Sequence, residues 1–418
     1  MGQHADVVVV GAGAVGLASA LALLEAGRSV HVLDAGRVGG GSSHGNCGTL
    51  TPSHAGPLYA PGMVANALRW MLTPDAPFYV RPSLDPALWR WLLRFASRCN
   101  ARDWNRAARS RAAILNASRA AFPEWVDRYG LDCEFAEQGA HCVFRDARAL
   151  DAYVRQLPAL AELGVEADVV SGEDYLRSEP ALKPGIAGVV RYPGDARLRP
   201  DRYVAELARA VVERGGVIET QRPVTGVQAQ SGGMRVDTPL GGLDCRDVLV
   251  ATGAWSPLLA RAIGVRWLRG AIQPGKGYSV TWSRPALVPR HAMTLYEVKV
   301  CVTTWDSGFR LGSTMEFSGH DDTLNRRRLG ALERGAGLYL HQPVGAEKQE
   351  EWFGWRPLSY DDQPIIGRAP GHANLWLATG HGMLGISMST ATGRLVAELM
   401  CGGEPHIDPA PYDPARFA

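Results

Sequence analysis

The chain has 418 residues, 46% hydrophobic and 21% charged, a globular balance with material for two or three domains. Its 44 Lys and Arg against 42 Asp and Glu leave a formal charge of +2, which argues against nucleic acid as a main partner because phosphate binding needs a basic excess. Seven cysteines without a CxxC pair or a Cys/His metal spacing point to a reducing, cytoplasmic compartment and to no metal centre.

The opening reads as strand, turn, helix, strand. Asp6–Val10 is a continuous apolar run of the kind found in a strand covered on both faces. Leu17, Leu21 and Leu24 recur at helical spacing, Gly27 supplies a stop, and Ser29–Leu33 forms a second strand ending at Asp34. No Lys or Arg precedes the first apolar run and a glycine loop interrupts it, so it is not a signal peptide. No uncharged apolar run reaches about 18 residues, so no transmembrane helix is expected.

Residues from about Trp70 to Gln156 are rich in Arg, Ala and Trp and read as mostly helical. Within them Trp89, Arg90, Trp91 and Arg94 lead on to Arg98, Arg102, Trp104 and Arg106, a basic amphipathic pattern. A surface helix with snorkelling arginines is the favoured reading, and peripheral membrane contact stays open. Asp201 is placed to cap a helix carrying Tyr203, Leu207 and Val211, ended by Gly215 and Gly216. Val217–Thr220 and Asp247–Ala251 read as strands, and Trp267 to Leu311 alternates like antiparallel strand. Arg326–Arg328 reads as a solvated face. Ala391, Leu395 and Leu399 line a last helix, stopped by Gly402 and Gly403. The fold class is α/β, α+β overall: a nucleotide domain with a βαβ start, built from three pieces, and a second domain of antiparallel sheet and helices inserted between them. The expected boundaries are 1–80, 190–262 and 352–418 for the first, 81–189 and 263–351 for the second.

Gly11, Gly13 and Gly16 form GxGxxG after a strand and at the head of a helix. The first glycine allows the tight turn, the second lets backbone approach a pyrophosphate, and the third allows close helix–strand packing. Ala14 and Val15 open the helix, whose free N–H groups favour an anion. Asp34, followed by Ala35, stands where a carboxylate accepts from a ribose diol, which argues against NADP. The motif alone does not separate FAD from NAD.

Three further segments do. Gly41-Ser42-Ser43-His44-Gly45-Asn46-Cys47-Gly48 follows the second strand; Ala251-Thr252-Gly253-Ala254-Trp255 ends another; Gly354-Trp355-Arg356-Pro357 leads through Asp361, Pro364 and Gly367 to Thr379-Gly380-His381-Gly382-Met383-Leu384-Gly385. With the opening GAGAVG, and with Ala55–Pro82, the ordered set resembles the glycine oxidase/D-amino acid oxidase-like FAD enzymes, and among them the bacterial D-amino acid dehydrogenases. The resemblance runs from residue 5 to about 400 and implies a Rossmann-like FAD-binding domain with an inserted substrate domain.

It also implies roles. Ser42, Ser43 and Asn46 would lie beside pyrophosphate and flavin, and the backbone of Val224 would hold the adenine. Ala251, Thr252, Gly253 and Trp255 would border the cofactor. The N–H groups of Gly382, Met383, Leu384 and Gly385 would approach the flavin O2 side, next to a helix starting near Gly385. Arg356 would grip the substrate carboxylate, with Tyr278 (after Lys276 and Gly277) and Tyr296 as second contacts; its bland alternative is an ion pair with Asp361 or Asp362. His54 and His381 are candidates for proton handling, although a merely hydrogen-bonded histidine is the favoured reading of both. Relatives with covalent flavin carry a cysteine near this segment; here Gly354 stands there, which implies non-covalent FAD. Cys47 reads as a small buried hydrophobe.

A single dinucleotide turn implies that electrons enter from the substrate and leave to an external acceptor, a quinone or an electron-transfer chain by resemblance. The expected activity is oxidation of a small D-amino or D-imino acid at Cα. Close dehydrogenases carry an arginine after the strand Lys299–Thr303, where this chain has Thr304 and then Trp305. With Trp282, Trp352 and Trp355, Trp305 would wall an aromatic pocket suited to D-proline or cis-4-hydroxy-D-proline, with D-alanine in doubt. The alternatives are a glycine or sarcosine oxidase using oxygen, and a flavin subunit of a larger complex.

Overall fold

The computed structural model describes residues 5–60, 62–64 and 78–418; parts of the Ala55–Pro82 and Trp70–Gln156 readings, at 61 and 65–77, lie outside them. Two large sheets carry the chain. The first runs in the order Gly226–Gln230, Gly233–Asp237, Leu243–Val250, Ala5–Val10, Val30–Leu33, Val217–Glu219. Leu375–Thr379 adds in parallel to the end of Leu243–Val250, and Ile365–Arg368 pairs antiparallel with it. The four strands 5–10, 30–33, 217–219 and 243–250 pair in parallel. The parallel pairing needs covered faces, and the strand Ala5–Val10 is buried almost throughout.

The helix Ala14–Glu25 covers one face, with Pro200–Glu213 and Ser389–Cys401 against it. The approach to the last helix is close: a Cβ on Gly393 would stand 2.5 Å from the Ala18 carbonyl oxygen. The helix Pro200–Glu213 starts one residue before the expected cap. Proline presets its first turn, Arg199 occupies the cap, and Asp201 instead pairs with Arg199 at 3.1 Å.

The second sheet has ten strands, in the order Phe78–Val80, Met315–Phe317, Ile272–Trp282, Gly308–Gly312, Val300–Trp305, Ala292–Leu295, Ala140–Phe144, Gly188–Tyr192, Asp168–Ser171. Lys348–Ser359 pairs along the whole of Ile272–Trp282. The expected boundaries at 190 and 352 fall inside strands of this sheet, so 352–359 is sheet-bound here while its continuation serves the first sheet. From 78 to 156 the chain is mostly helical, in Pro86–Ser97, Ala101–Tyr129 and Ala147–Val154. The basic amphipathic stretch is thus two helices. Trp91 is core, its indole N–H shared between the carbonyls of Ala271 (3.3 Å) and Leu358 (3.2 Å), whereas Trp89 and Leu93 face outward. The Arg326–Arg328 run is solvated only in part: Arg328 is buried and pairs with Glu316 at 2.7 Å.

Gly393→Ala is expected to cost about 1–3 kcal/mol by overpacking, read as a lowered urea midpoint. Gly194→Ala, where the added methyl meets open space, should stay within about 0.5 kcal/mol of the parent.

Candidate functional site

A cavity of about 1090 Å³ opens between the sheets, at the upper end of small-molecule sites. Two glycines of the turn, Gly11 and Gly16, have a steric reason. Gly11 adopts φ +111°, and a Cβ there would stand 2.6 Å from the Ala251 carbonyl oxygen. A Cβ on Gly16 would come within 2.0 Å of the Gly11 carbonyl oxygen, so helix and strand touch only because both are glycine. The Ser43 hydroxyl accepts from Ala14 N–H at 3.1 Å, while Val15 and Gly16 N–H have no acceptor among the described residues. Asp34 is held by Ala12 N–H and Gly36 N–H, each at 2.7 Å. It borders the cavity together with Ala35, Gly13, Ser42, Asn46, Val224, Ala251, Thr252, Gly253 and Trp255. Val224 stands just before the strand Gly226–Gln230, and its backbone N–H and C=O carry no bond among the described residues.

The loop 382–386 borders the same cavity. Its N–H groups divide. Gly382 N–H donates to Pro357 and Leu384 N–H to His381, each at 3.0 Å. Met383 and Gly385 N–H have no acceptor among the described residues. The helix expected near Gly385 starts at Ser389, because the intervening residues form successive turns rather than a continuous ladder.

Strand parity decides the substrate wall. Trp352, Gly354 and Arg356 alternate onto one face of Lys348–Ser359. Trp352 and Arg356 border the cavity, while Phe353 and Trp355 face away, where Trp355 packs against Trp255 and Phe353. The Arg356 guanidinium lies over Gly277, where a Cβ would come within 2.4 Å, and donates to the Thr314 carbonyl at 2.5 Å. No carboxylate reaches it among the described residues: Asp361 pairs with Arg416 (2.8 Å) and Asp362 with Arg111 (2.9 Å). Burial therefore works against its charge, relieved only by the neighbouring Cys47 and Cys301 thiols. A half-buried cation with no carboxylate partner is a site prepared for an anion.

Cys47 is not the packing residue expected. It borders the cavity beside Cys301: Cys301, with Arg356 and Arg310, holds the Cys47 thiol low, while Cys47 and burial push Cys301 up. The Tyr278 hydroxyl donates to Glu316 at 3.2 Å, so this cavity residue spends its polar end on the protein. The Tyr296 hydroxyl has no such bond among the described residues. Of the two histidines, His381 is the hydrogen-bonded one expected, its Nε2 paired with the Thr392 hydroxyl at 3.0 Å, and burial pushes it down to about 3. His54 departs from that reading. Protein surrounds it, yet its ring is exposed because its open side looks into the cavity. Burial, with Arg111 and Lys299, pushes it down to about 4.

Two expectations about substrate fail here. Thr304 lies on the face of its strand that Val300 and Val302 bury in the core, opposite Cys301 and the cavity. Trp305 is buried with its indole N–H on Leu198 (3.0 Å), and Trp282 packs into the core under Lys348. Of the four tryptophans only Trp352 borders the cavity; Tyr153 and Tyr296, neither weighed with them, supply the other aromatic surface. Sequence reasoning also passed over Lys299 and Cys301, whose approach to the site depends on strand pairing. Among the described residues there is no cluster of three or more metal-ligating side chains, and no helix is long and apolar enough to cross a membrane.

Residues 6–399 match the family profile DAO, FAD dependent oxidoreductase. The chain belongs to this family. It is 32% identical to a D-amino acid dehydrogenase of Granulibacter bethesdensis over 99% of both chains. The fold is that of glycine oxidase from Geobacillus kaustophilus (TM-score 0.78, 22% identity, 98% of both chains). It is also that of L-proline dehydrogenase from P. horikoshii (TM-score 0.75, 19% identity, 100% of this chain and 98% of the other). The chain is therefore an FAD-dependent oxidoreductase, and the residues fit the cofactor: a glycine turn with no room for Cβ at Gly11 or Gly16, an acid for the ribose, and free N–H groups at two places along one cavity.

If His54 keeps the environment described, isotope-edited NMR should show its ring titrating near pH 4, so that it is neutral and proton-accepting throughout the neutral range. A midpoint near the ordinary 6.5 would show that the ring is solvated like a surface histidine.

Proposed function

We propose that this enzyme oxidises small D-amino or D-imino acids at Cα, with D-proline and cis-4-hydroxy-D-proline favoured, and passes the electrons to a quinone or another electron-transfer acceptor. The observation that carries this reading is the half-buried, carboxylate-free Arg356 guanidinium in the cofactor cavity. A planar guanidinium grips a carboxylate with two parallel hydrogen bonds and so fixes the Cα beside it. FAD, held non-covalently, supplies the hydride acceptor. The chain's own part is alignment: Arg356 orients the substrate, Trp352, Tyr153 and Tyr296 give it a flat wall, and His54, neutral and open to the cavity, is placed to take a proton from the substrate amine.

The D configuration draws on the names of the relatives about 31–32% identical. The cyclic preference rests on the aromatic wall alone, since Thr304 and three of the tryptophans point elsewhere. A non-covalent cofactor agrees with Gly354, where a Cβ would stand 2.2 Å from the Trp352 ring.

Purified protein should be yellow, and D-proline, hydroxy-D-proline, D-alanine, glycine and sarcosine should bleach it anaerobically to different degrees. With a dye acceptor, Arg356→Ala should lose roughly a hundredfold or more in kcat/KM while retaining flavin. Arg356→Lys should be nearly as poor, because a point charge lacks the two-pronged grip. Retained activity in both would remove the anchor, and rapid peroxide formation in air would favour an oxidase.

The acceptor reading has one surface feature behind it. Trp89 and Leu93 are exposed beside Arg90 and Arg94 on the helix Pro86–Ser97, with exposed Leu84 just before it, the composition of an interfacial contact. Co-sedimentation with anionic vesicles should fall when Trp89 and Leu93 are both replaced by Ser; unchanged or absent vesicle binding would leave the acceptor to be a diffusible one.

A further inference from the structure

Lys299 borders the same cavity, and nothing in the chemistry above uses it. It ends the four-residue turn 296–299 that joins Ala292–Leu295 to Val300–Trp305, with its N–H on the Tyr296 carbonyl at 3.4 Å. Its φ is +53°, a left-handed conformation in which glycine or asparagine is usual and a long side chain is strained. Such an outlier beside a binding cavity is a reason to look for function.

The side chain folds back so that Nζ stands 3.4 Å from the centroid of the Tyr296 ring, which is itself packed against Phe144 and Tyr153. Among the described residues Nζ has no hydrogen bond and no carboxylate within ion-pair distance. Glu297, the acid nearest in sequence, is turned elsewhere: it receives the N–H groups of Arg145 (3.1 Å) and Asp146 (3.0 Å) and the Tyr339 hydroxyl. Half-buried and unpaired, Lys299 repeats the condition of Arg356.

The two cations are also ordered in space. Cys301 stands two residues along from Lys299, about 7 Å of extended chain. Its thiol meets Cys47 in reach of the Arg356 charge, whereas Lys299 sits among His54, Cys142 and Tyr296. A small substrate held by its α-carboxylate on Arg356 would therefore turn its far end toward Lys299. An ammonium only donates, so what it meets must be an acceptor.

We propose that Lys299 determines specificity by donating to an oxygen, hydroxyl or carboxylate, carried by the substrate at the end remote from its α-carboxylate. This deepens the reading of Arg356 as the carboxylate anchor and rests on it. The substrate class is then the oxygenated one: hydroxy-D-proline over D-proline, or an acidic D-amino acid over its apolar analogue.

Binding of unreactive ring analogues tests this apart from turnover. Calorimetry on the FAD-loaded protein would compare cyclopentanecarboxylate with cis-3-hydroxycyclopentanecarboxylate and cis-cyclopentane-1,3-dicarboxylate. At least one oxygenated ring should bind about tenfold or more tighter than the plain ring, the scale of one charge-assisted hydrogen bond; which one does so separates hydroxyl from carboxylate. In Lys299→Met the ratio should collapse to within about threefold, because a purely structural lysine would shift all three ligands together. Lys299→Gly removes the ammonium while suiting the left-handed backbone, so it should melt no lower than the parent and show the same collapse. No preference in the parent, or a preference that survives both substitutions, overturns the proposal. Oxidation of D-proline without any oxygen preference would sink Lys299 alone. An oxygen preference lost in the variants, in a protein that oxidises no amino acid, would sink the proposed activity alone.

Discussion

A half-buried guanidinium with no carboxylate to neutralise it is an expense that a folded chain does not ordinarily carry. Arg356 sits in that state because its strand is paired along its length with Ile272–Trp282, and because Gly277 opposite leaves a slot for the side chain. The nearby acids are removed from reach by their own arginines, Arg111 and Arg416. The cation's position is thus imposed by the sheet and its isolation by the surrounding ion pairs. What remains to complete it is an anion arriving from the cavity.

The cavity exists because two sheets with different rules meet along it. The parallel sheet supplies strand ends and a helix start, where backbone N–H groups are free by construction. The antiparallel sheet supplies alternating side chains, so a side chain such as Trp352 or Arg356 reaches the cavity while Phe353 and Trp355 do not. The first sheet therefore offers mainly free main-chain N–H groups, glycines and the Asp34 carboxylate to the cavity, and the second offers side chains.

That division also explains what could be read from the chain and what could not. The turn at Gly11, Gly13 and Gly16 and the acid at Asp34 are local: strand, turn, helix and strand lie within thirty-odd residues, and their spacing encodes their geometry. Arg356 was legible by resemblance to relatives. Thr304 and the tryptophans misled because a residue's face depends on register, which no count of aromatics reveals: Trp352 and Trp355 are three apart and lie on opposite faces. Arg328 escaped because its partner Glu316 belongs to a distant strand. The start of the last helix was misplaced by four residues because Gly382–Gly385 resembles a helix entrance but folds as turns. Lys299 was invisible for the plainest reason, a turn whose left-handed backbone no lysine advertises.

Gly354 and Gly45 clasp the Trp352 indole from two sides; a side chain on either would stand within about 2.2 Å of its ring atoms. A thiol tether could not be introduced at 354 without evicting that indole from the wall it forms. Without such a tether, loading would follow mass action, and the active fraction would rise and fall with the flavin on hand.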